Sequence, residues 1–207
     1  MTKTKTFMRI DLQIIANQIP NNSRVLDVGC GDGALLAYLR DHKRVDGRGL
    51  ELSVTKVNEA VRNGLAVVQG DLEDELKNYP AKTFDYVILS QTLQATRNPK
   101  NVLKALFNIG NNVVVSFPNF GHWRVRSSLL LNGEMPNTPT LPDNWYDTEN
   151  IHLCTIKDFI NLIDKLKIQI KKGYTLDKNG SIKKLDTSSW IANLLGEQAI
   201  FFLSEKI

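Results

Sequence analysis

The chain has 207 residues, 42% apolar and 23% charged, which describes one soluble domain large enough to bury a core and excludes disordered, collagenous and fibrous classes. Its 26 basic and 22 acidic residues give a net charge of +4, and much of the excess gathers in Lys165, Lys167, Lys171, Lys172, Lys178, Lys183 and Lys184, read here as the solvated face of a C-terminal hairpin rather than a nucleic-acid surface. No apolar run approaches the ~20 residues that span a bilayer, the basic start lacks the apolar centre of a signal peptide, and Cys30 and Cys154 have no disulfide-framework or metal-ligand spacing. The expectation is a cytoplasmic protein with reduced thiols, no metal site, and neither membrane nor nucleic acid as partner.

Apolar spacing switches repeatedly between periods of 3.6 and 2, which predicts alternating helices and strands. An amphipathic helix over 7–19, beginning at Phe7, is stopped by Pro20 and Asn21-Asn22. Strands are expected at 24–28, 45–50, 65–69, 84–89 and 111–117. Between them a helix begins at Ala34, a second runs over 54–62 behind Ser53 as N-cap, and a third runs over 99–107 behind Asn98, with Pro99 in its first position. This alternation implies a parallel sheet with helices on both faces, and it puts ligands at the carboxyl ends of the strands near the switch in strand order.

The segment 118–154 is rich in Pro, Trp, Tyr and Asn and reads as a long excursion over that same edge. Within it His122, Trp123 and Arg124 open a helical run through Leu129 to Leu131, ended by Gly133, with one apolar side expected to pack inward. Thr155 then caps a helix to Leu166, a strand covers 168–174, a short helix 190–195 and a last strand 199–203. No repeat or linker divides the chain, so 1–207 reads as one domain carrying 118–154 as a cap or partner-binding segment.

Chemistry concentrates in Val25-Leu26-Asp27-Val28-Gly29-Cys30-Gly31-Asp32-Gly33, which joins the first strand to the following helix. Glycines at alternate positions let the backbone turn sharply and let a ligand approach without meeting a Cβ. Gly29, Gly31 and Ala34, with Glu51 further on, also satisfy the looser dinucleotide fingerprint, so the glycines alone do not choose the ligand. Charge does. A dinucleotide would set a pyrophosphate at the helix N-terminus beside Asp27 and Asp32 as like charges. S-adenosylmethionine carries an ammonium and a sulfonium and no phosphate. Glu51, ending the second strand, is placed to accept from both ribose hydroxyls, and Asp71, in Gln69-Gly70-Asp71-Leu72, to accept from the adenine amine.

These residues, with Phe84-Asp85-Tyr86-Val87-Ile88-Leu89-Ser90, resemble the class I, Rossmann-like S-adenosylmethionine-dependent methyltransferases. The resemblance implies an α/β fold with a seven-stranded, mostly parallel sheet, an antiparallel last strand and helices on both faces. It narrows through Leu89-Ser90-Gln91-Thr92-Leu93-Gln94-Ala95-Thr96, Ser116-Phe117-Pro118-Asn119-Phe120-Gly121-His122-Trp123-Arg124, Trp145-Tyr146-Asp147-Thr148 and Asn150-Ile151-His152-Leu153-Cys154-Thr155. Over roughly residues 8 to 204 the chain is similar to the methionine biosynthesis MetW family, a bacterial family associated with homoserine O-acyltransferase, the MetX protein. The implied ligand is S-adenosylmethionine or S-adenosylhomocysteine, held by Asp27, Gly29, Cys30, Gly31, Gly33, Glu51, Asp71, Leu72 and Ser90.

Methyl transfer from a sulfonium needs alignment and, for a weak nucleophile, a general base. The candidate bases are His122 and His152, both in the excursion; packing roles are the bland reading of each. Cys30 is expected to pack against the ligand rather than attack it. After the fourth strand stands Ser90-Gln91-Thr92-Leu93 in place of the Asn or Asp, Pro-Pro and aromatic common among nucleic-acid amine methyltransferases, which disfavours that reaction. Phe117, Phe120, Trp123, Trp145 and Tyr146, interleaved with Arg124 and Arg126, suit a substrate pocket, a partner surface or a core. Two functions remain: an accessory protein for homoserine O-acyltransferase, which the resemblance favours, and an active methyltransferase on a small metabolite.

Overall fold

The computed structural model describes residues 8–138, 140–177 and 180–206; residues 1–7, including Phe7, and Lys178 of the lysine run lie outside the described residues. The elements, in chain order, are α1 (Ile10–Gln18), β1 (Arg24–Val28), α2 (Ala34–Lys43), β2 (Asp46–Glu51), α3 (Val54–Arg62), β3 (Ala66–Gln69) and the short α4 (Leu72–Glu75). They continue with β4 (Phe84–Ser90), α5 (Pro99–Ile109), β5 (Gly110–Pro118), α6 (Trp123–Leu131), α7 (Ile156–Lys165), β6 (Ile168–Leu176), β7 (Ile182–Lys184), α8 (Trp190–Leu195) and β8 (Gln198–Glu205). The strands form one sheet in the order β3-β2-β1-β4-β5-β8-β6-β7.

The first five strands run parallel, and β8 lies antiparallel between β5 and β6. This is the expected mostly parallel sheet with an antiparallel last strand. An eighth strand, the three-residue β7, extends the edge as a hairpin with β6. Lys171, Lys172, Lys183 and Lys184 on that hairpin are exposed, as the solvated reading required.

Period-two alternation explains how the sheet is covered. Leu26, Val28, Val87, Leu89, Val113, Val115, Phe117, Phe201 and Leu203 share one core with Leu103 and Leu106 of α5 and with Phe159 and Ile163 of α7. Val25, Ile88, Val114, Ile200 and Phe202 belong to a second core with Ile14 and Ile15 of α1 and Leu35 and Leu39 of α2. Asp27 falls on β1 in step with Val25, on the α1 side, which sets an acid at the end of an otherwise apolar stripe.

Caps account for several helix starts. Asn98 accepts from Asn101 N and Thr155 from Asp158 N, as expected from sequence. Ser53 occupies the N-cap of α3 but makes no side-chain capping bond; its own backbone amide donates to Glu51 Oε1 at 2.9 Å. The run through Leu131 is helical but does not pack as expected. Only Val125 of α6 is buried, against Phe120 and Leu141, while Leu130 and Leu131 are 84% and 78% exposed. The small Phe120–Val125–Leu141 cluster stands apart from the two sheet cores, and those leucines are not part of it.

Candidate functional site

Strand order reverses between β1 and β4, and the crevice beyond their carboxyl ends is where an open α/β sheet binds ligands. β1 runs into Gly29 there. Gly29 has φ +73°, and a Cβ on it would stand 2.5 Å from Thr92 Oγ1, so the loop lies directly on the turn after β4. Gly31 has φ +58°, and a Cβ there would meet none of the described residues within 4 Å, which leaves its outer side open to them. The loop is held from β2: Gly29 N and Cys30 N donate to Leu50 O at 2.7 and 3.2 Å, and Gly31 N donates to Glu51 Oε2 at 2.8 Å. Gly33 N donates to Cys30 O, and Asp32 accepts from Ala34 N, which starts α2.

A cleft of about 350 Å³ opens on this loop, lined among others by Arg9, Asp27, Gly29, Cys30, Gly31, Asp32, Glu51, Lys56, Ser90, Thr92 and Glu149. Asp27 is 3% exposed, and among the described residues no hydrogen-bond donor reaches its carboxylate. Burial pushes its carboxyl up to about 7; the charge of Arg9 pulls it down, while Glu51 and Asp11 push it up further. Burial likewise raises the Cys30 thiol well above its ordinary range, with Asp27 and Glu51 adding to the effect, so Cys30 stays a neutral thiol packed with Leu36, Ala60 and Leu65.

Sequence reasoning named Ser90 but missed the residues bonded to it, of which Arg9 also lines the cleft. Arg9 Nε and Nη2 donate to the two oxygens of Asp11 at 3.1 and 2.9 Å, and Nη2 also donates to Ser90 Oγ at 2.8 Å. Ser90 Oγ in turn donates to Asp11 Oδ2 at 3.1 Å and shares a 3.0 Å hydrogen bond with Ser116 Oγ. The signal was present: Asp11 stands three and four positions before Ile14 and Ile15, an acid on the buried stripe of α1.

The other expected residues fall elsewhere. Asp71 caps α4, accepting from Glu73 N at 2.9 Å on one oxygen and from Arg97 Nη2 at 2.9 Å on the other, and it does not line the cleft. Leu72 packs against the α5 side of the sheet. His122 is buried at the N-cap of α6, where its Nδ1 accepts from Arg124 N and its Nε2 lies 4.0 Å from Glu197 Oε1. Burial and then Arg124 hold its imidazole below the usual value, so it is neutral at pH 7. His152 is exposed, and its backbone amide donates to Gln94 O at 2.9 Å. Neither histidine reaches the cleft lining; of the excursion, Glu149 does.

The aromatic set divides. Phe117 is core and Phe120 is buried, whereas Trp145 and Tyr146 are 74% and 67% exposed. Trp145 lines a separate cavity of about 330 Å³ with Phe120, Met135, Leu141, Ile151 and Leu153.

The sheet order, the glycine turn after β1 and the acids around it define the class I, Rossmann-like methyltransferase fold. A methyltransferase from Thermotoga maritima superposes with a TM-score of 0.69 at 17% identity, over 95% of this chain and 87% of that one. One from Mesorhizobium loti gives 0.68 at 14% identity, over 95% and 98%. At such identities the likeness establishes the fold alone. The family is established by sequence: residues 9–203 match the family described as methionine biosynthesis protein MetW, and the chain belongs to it. It is also 34% identical over 172 residues to the bifunctional methionine biosynthesis protein MetXA/MetW of Rhodopirellula baltica, matching 79% of this chain and 28% of that protein's length. Among the described residues, no helix is long and apolar enough to cross a membrane.

Proposed function

We propose that this chain binds S-adenosylmethionine or S-adenosylhomocysteine in the glycine-loop cleft and, in that form, assists homoserine O-acyltransferase. The observation that carries the first half is Asp27, a buried cleft-lining carboxylate with no donor among the described residues, beside a loop whose Gly31 is open on its outer side to the described residues. Such a carboxylate is satisfied by a cation from the ligand, and an ammonium supplies one. Glu51 spends one lone pair of each oxygen on Gly31 N and Ser53 N and keeps the others for ribose hydroxyls. Asp71 enters this reading only through the lone pairs that Glu73 N and Arg97 leave on its carboxylate. When bound, S-adenosylmethionine supplies an electrophilic methyl group.

Support for an assisting role comes from the Rhodopirellula baltica relative, in which a MetXA/MetW protein is one bifunctional chain. In this reading the segment 118–154 is the cap and the partner-facing surface, its exposed Trp145 and Tyr146 being residue types that anchor interfaces. The two candidate bases, His122 and His152, lie off the cleft, which supports ligand binding over methyl transfer assisted by either of them. The test is to co-purify this protein with the acyltransferase and to assay acyl transfer with and without it, at saturating S-adenosylmethionine, at saturating S-adenosylhomocysteine and without either. Association and a ligand-dependent rate are expected. No association, together with rapid transfer of labelled methyl to a small acceptor, would replace this reading with that of a methyltransferase.

A further inference from the structure

The apolar surface of this chain is unevenly spread. Among the described residues its three most exposed large apolar side chains are Leu130, Leu131 and Trp145, all in the segment 118–154, and none of them lines the glycine-loop cleft. They border one surface. Val125 of α6 packs on Phe120 and Leu141, and both of these line the cavity of about 330 Å³ that Met135 and Trp145 also line. At the end of α6 the left-handed Gly133 and the 3.0 Å bond from Ser128 Oγ to Glu134 O turn the chain from Leu131 into Met135, so the leucine pair runs directly into the groove. A small molecule filling the groove would leave Leu130 and Leu131 in water, because neither lines it. A partner surface covers both.

Charge decides what kind of partner. From 127 to 156 the sequence has no Lys or Arg and carries Glu134, Asp143, Asp147 and Glu149, in a chain whose net charge is +4. All four acids are exposed, and none is in an ion pair among the described residues. An isologous pairing of two copies would set these acids against their own counterparts. Phosphate backbones and anionic lipid headgroups would meet the same repulsion. The complement of this face is a protein surface with an apolar centre and a rim of Lys or Arg, where apolar burial supplies affinity and opposite charge supplies steering.

Resting on the reading of this chain as an assistant of the acyltransferase, we propose that Leu130, Leu131 and the Trp145 groove form its docking face, and that the acyltransferase meets it with an apolar anchor flanked by basic residues. The anchor fills the groove, the leucine pair extends the dry contact, and Asp143 and Asp147 meet the basic rim.

The test measures binding of the purified acyltransferase to the full chain by calorimetry, at low and at high salt, for the wild type and for four variants. The double variant Leu130→Ser with Leu131→Ser, and Trp145→Ala by itself, are each expected to weaken binding about 10-fold or more, the scale of a lost interface anchor. Asp143→Lys with Asp147→Lys should weaken it about 10-fold at low salt and less at high salt. Trp190→Ala removes a similarly exposed tryptophan of α8 that does not line the groove, and should change binding by less than about 2-fold. An unchanged unfolding temperature shows that each variant is folded. Binding that survives the leucine and Trp145 variants, or an equal loss in Trp190→Ala, would overturn this face. Binding unchanged or tightened in the lysine variant would overturn the basic rim. A dimer in sedimentation that the leucine variant dissolves would give the face to a second copy instead. A wild-type chain that does not bind the acyltransferase at all would remove the assisting reading, and this proposal with it.

Discussion

Glu51 Oε2 receives the Gly31 amide at 2.8 Å, tying the end of β2 to the centre of the glycine loop, while Oε1 receives Ser53 N at 2.9 Å. One side chain therefore fixes both the loop and the entry to α3. Glu51→Ala should cost about 1–3 kcal/mol in urea unfolding, because two backbone donors lose a charged acceptor. Glu51→Gln keeps one carbonyl oxygen and should cost visibly less. Equal costs for the two variants would show that the carboxylate does not organise the loop.

Asp27 predicts a pH dependence with a definite sign. Its folded pKa of about 7 lies above the ordinary 3.8, so the native state holds this proton more tightly than the unfolded state. The resulting stability is fully present below about pH 4 and is lost as pH rises to about 7. Binding of a cationic ligand runs the other way. It requires the ionised form, so affinity should rise by up to about tenfold per pH unit below 7 and level off above it, with proton release visible as a buffer-dependent heat. Asp27→Asn should flatten both trends, and a wild-type affinity independent of pH between 5 and 8 would refute the assignment.

Gly29 and Gly31 should fail differently when given a methyl group. Gly29→Ala drives a Cβ to 2.5 Å from Thr92 Oγ1 at φ +73°, so its loss should appear in folding. Gly31→Ala meets no neighbour among the described residues, and its stability cost is the left-handed backbone penalty of about 1–2 kcal/mol. Its new methyl group faces the open side of the loop and should instead weaken ligand binding. Thermal unfolding and calorimetry on both variants check this; an unweakened ligand in Gly31→Ala would mean that the ligand does not pass over that residue.

The strand and helix order was readable from sequence because each element carries a local signature, such as the apolar stripe of β4 or the Asn98 and Thr155 caps. Asp27, Gly31 and Glu51 were readable because they lie on one short loop and the adjacent strand end. What escaped was the set of pairings made across long stretches of chain. Arg9 meets Ser90, Asp71 is engaged by Arg97, and His122 faces Glu197. No spacing rule announces such partners. They decided that Arg9 lines the cleft, held there by Asp11 and Ser90, while His122 is a buried helix cap. The exposed leucines of α6 misled for the converse reason: helical periodicity shows that one side is apolar, not that a surface exists to cover it.

Neither histidine should matter to ligand affinity. His152→Ala alters an exposed side chain and should leave both stability and binding unchanged. His122→Ala removes the α6 cap and should cost about 0.5–2 kcal/mol of stability with ligand affinity intact. A ligand-binding defect in either variant, at full folding, would bring the excursion into the cleft in a way the geometry does not support.

The central claim is that acids, not glycines, choose the ligand of this cleft. It is tested most directly by titrating the wild-type protein with S-adenosylhomocysteine and with NAD under identical conditions. The account predicts saturable 1:1 binding of S-adenosylhomocysteine, weakened by about 1–3 kcal/mol in Asp27→Ala, and no measurable binding of NAD, whose pyrophosphate would meet Asp27 and Asp32. Preferential binding of NAD would contradict it.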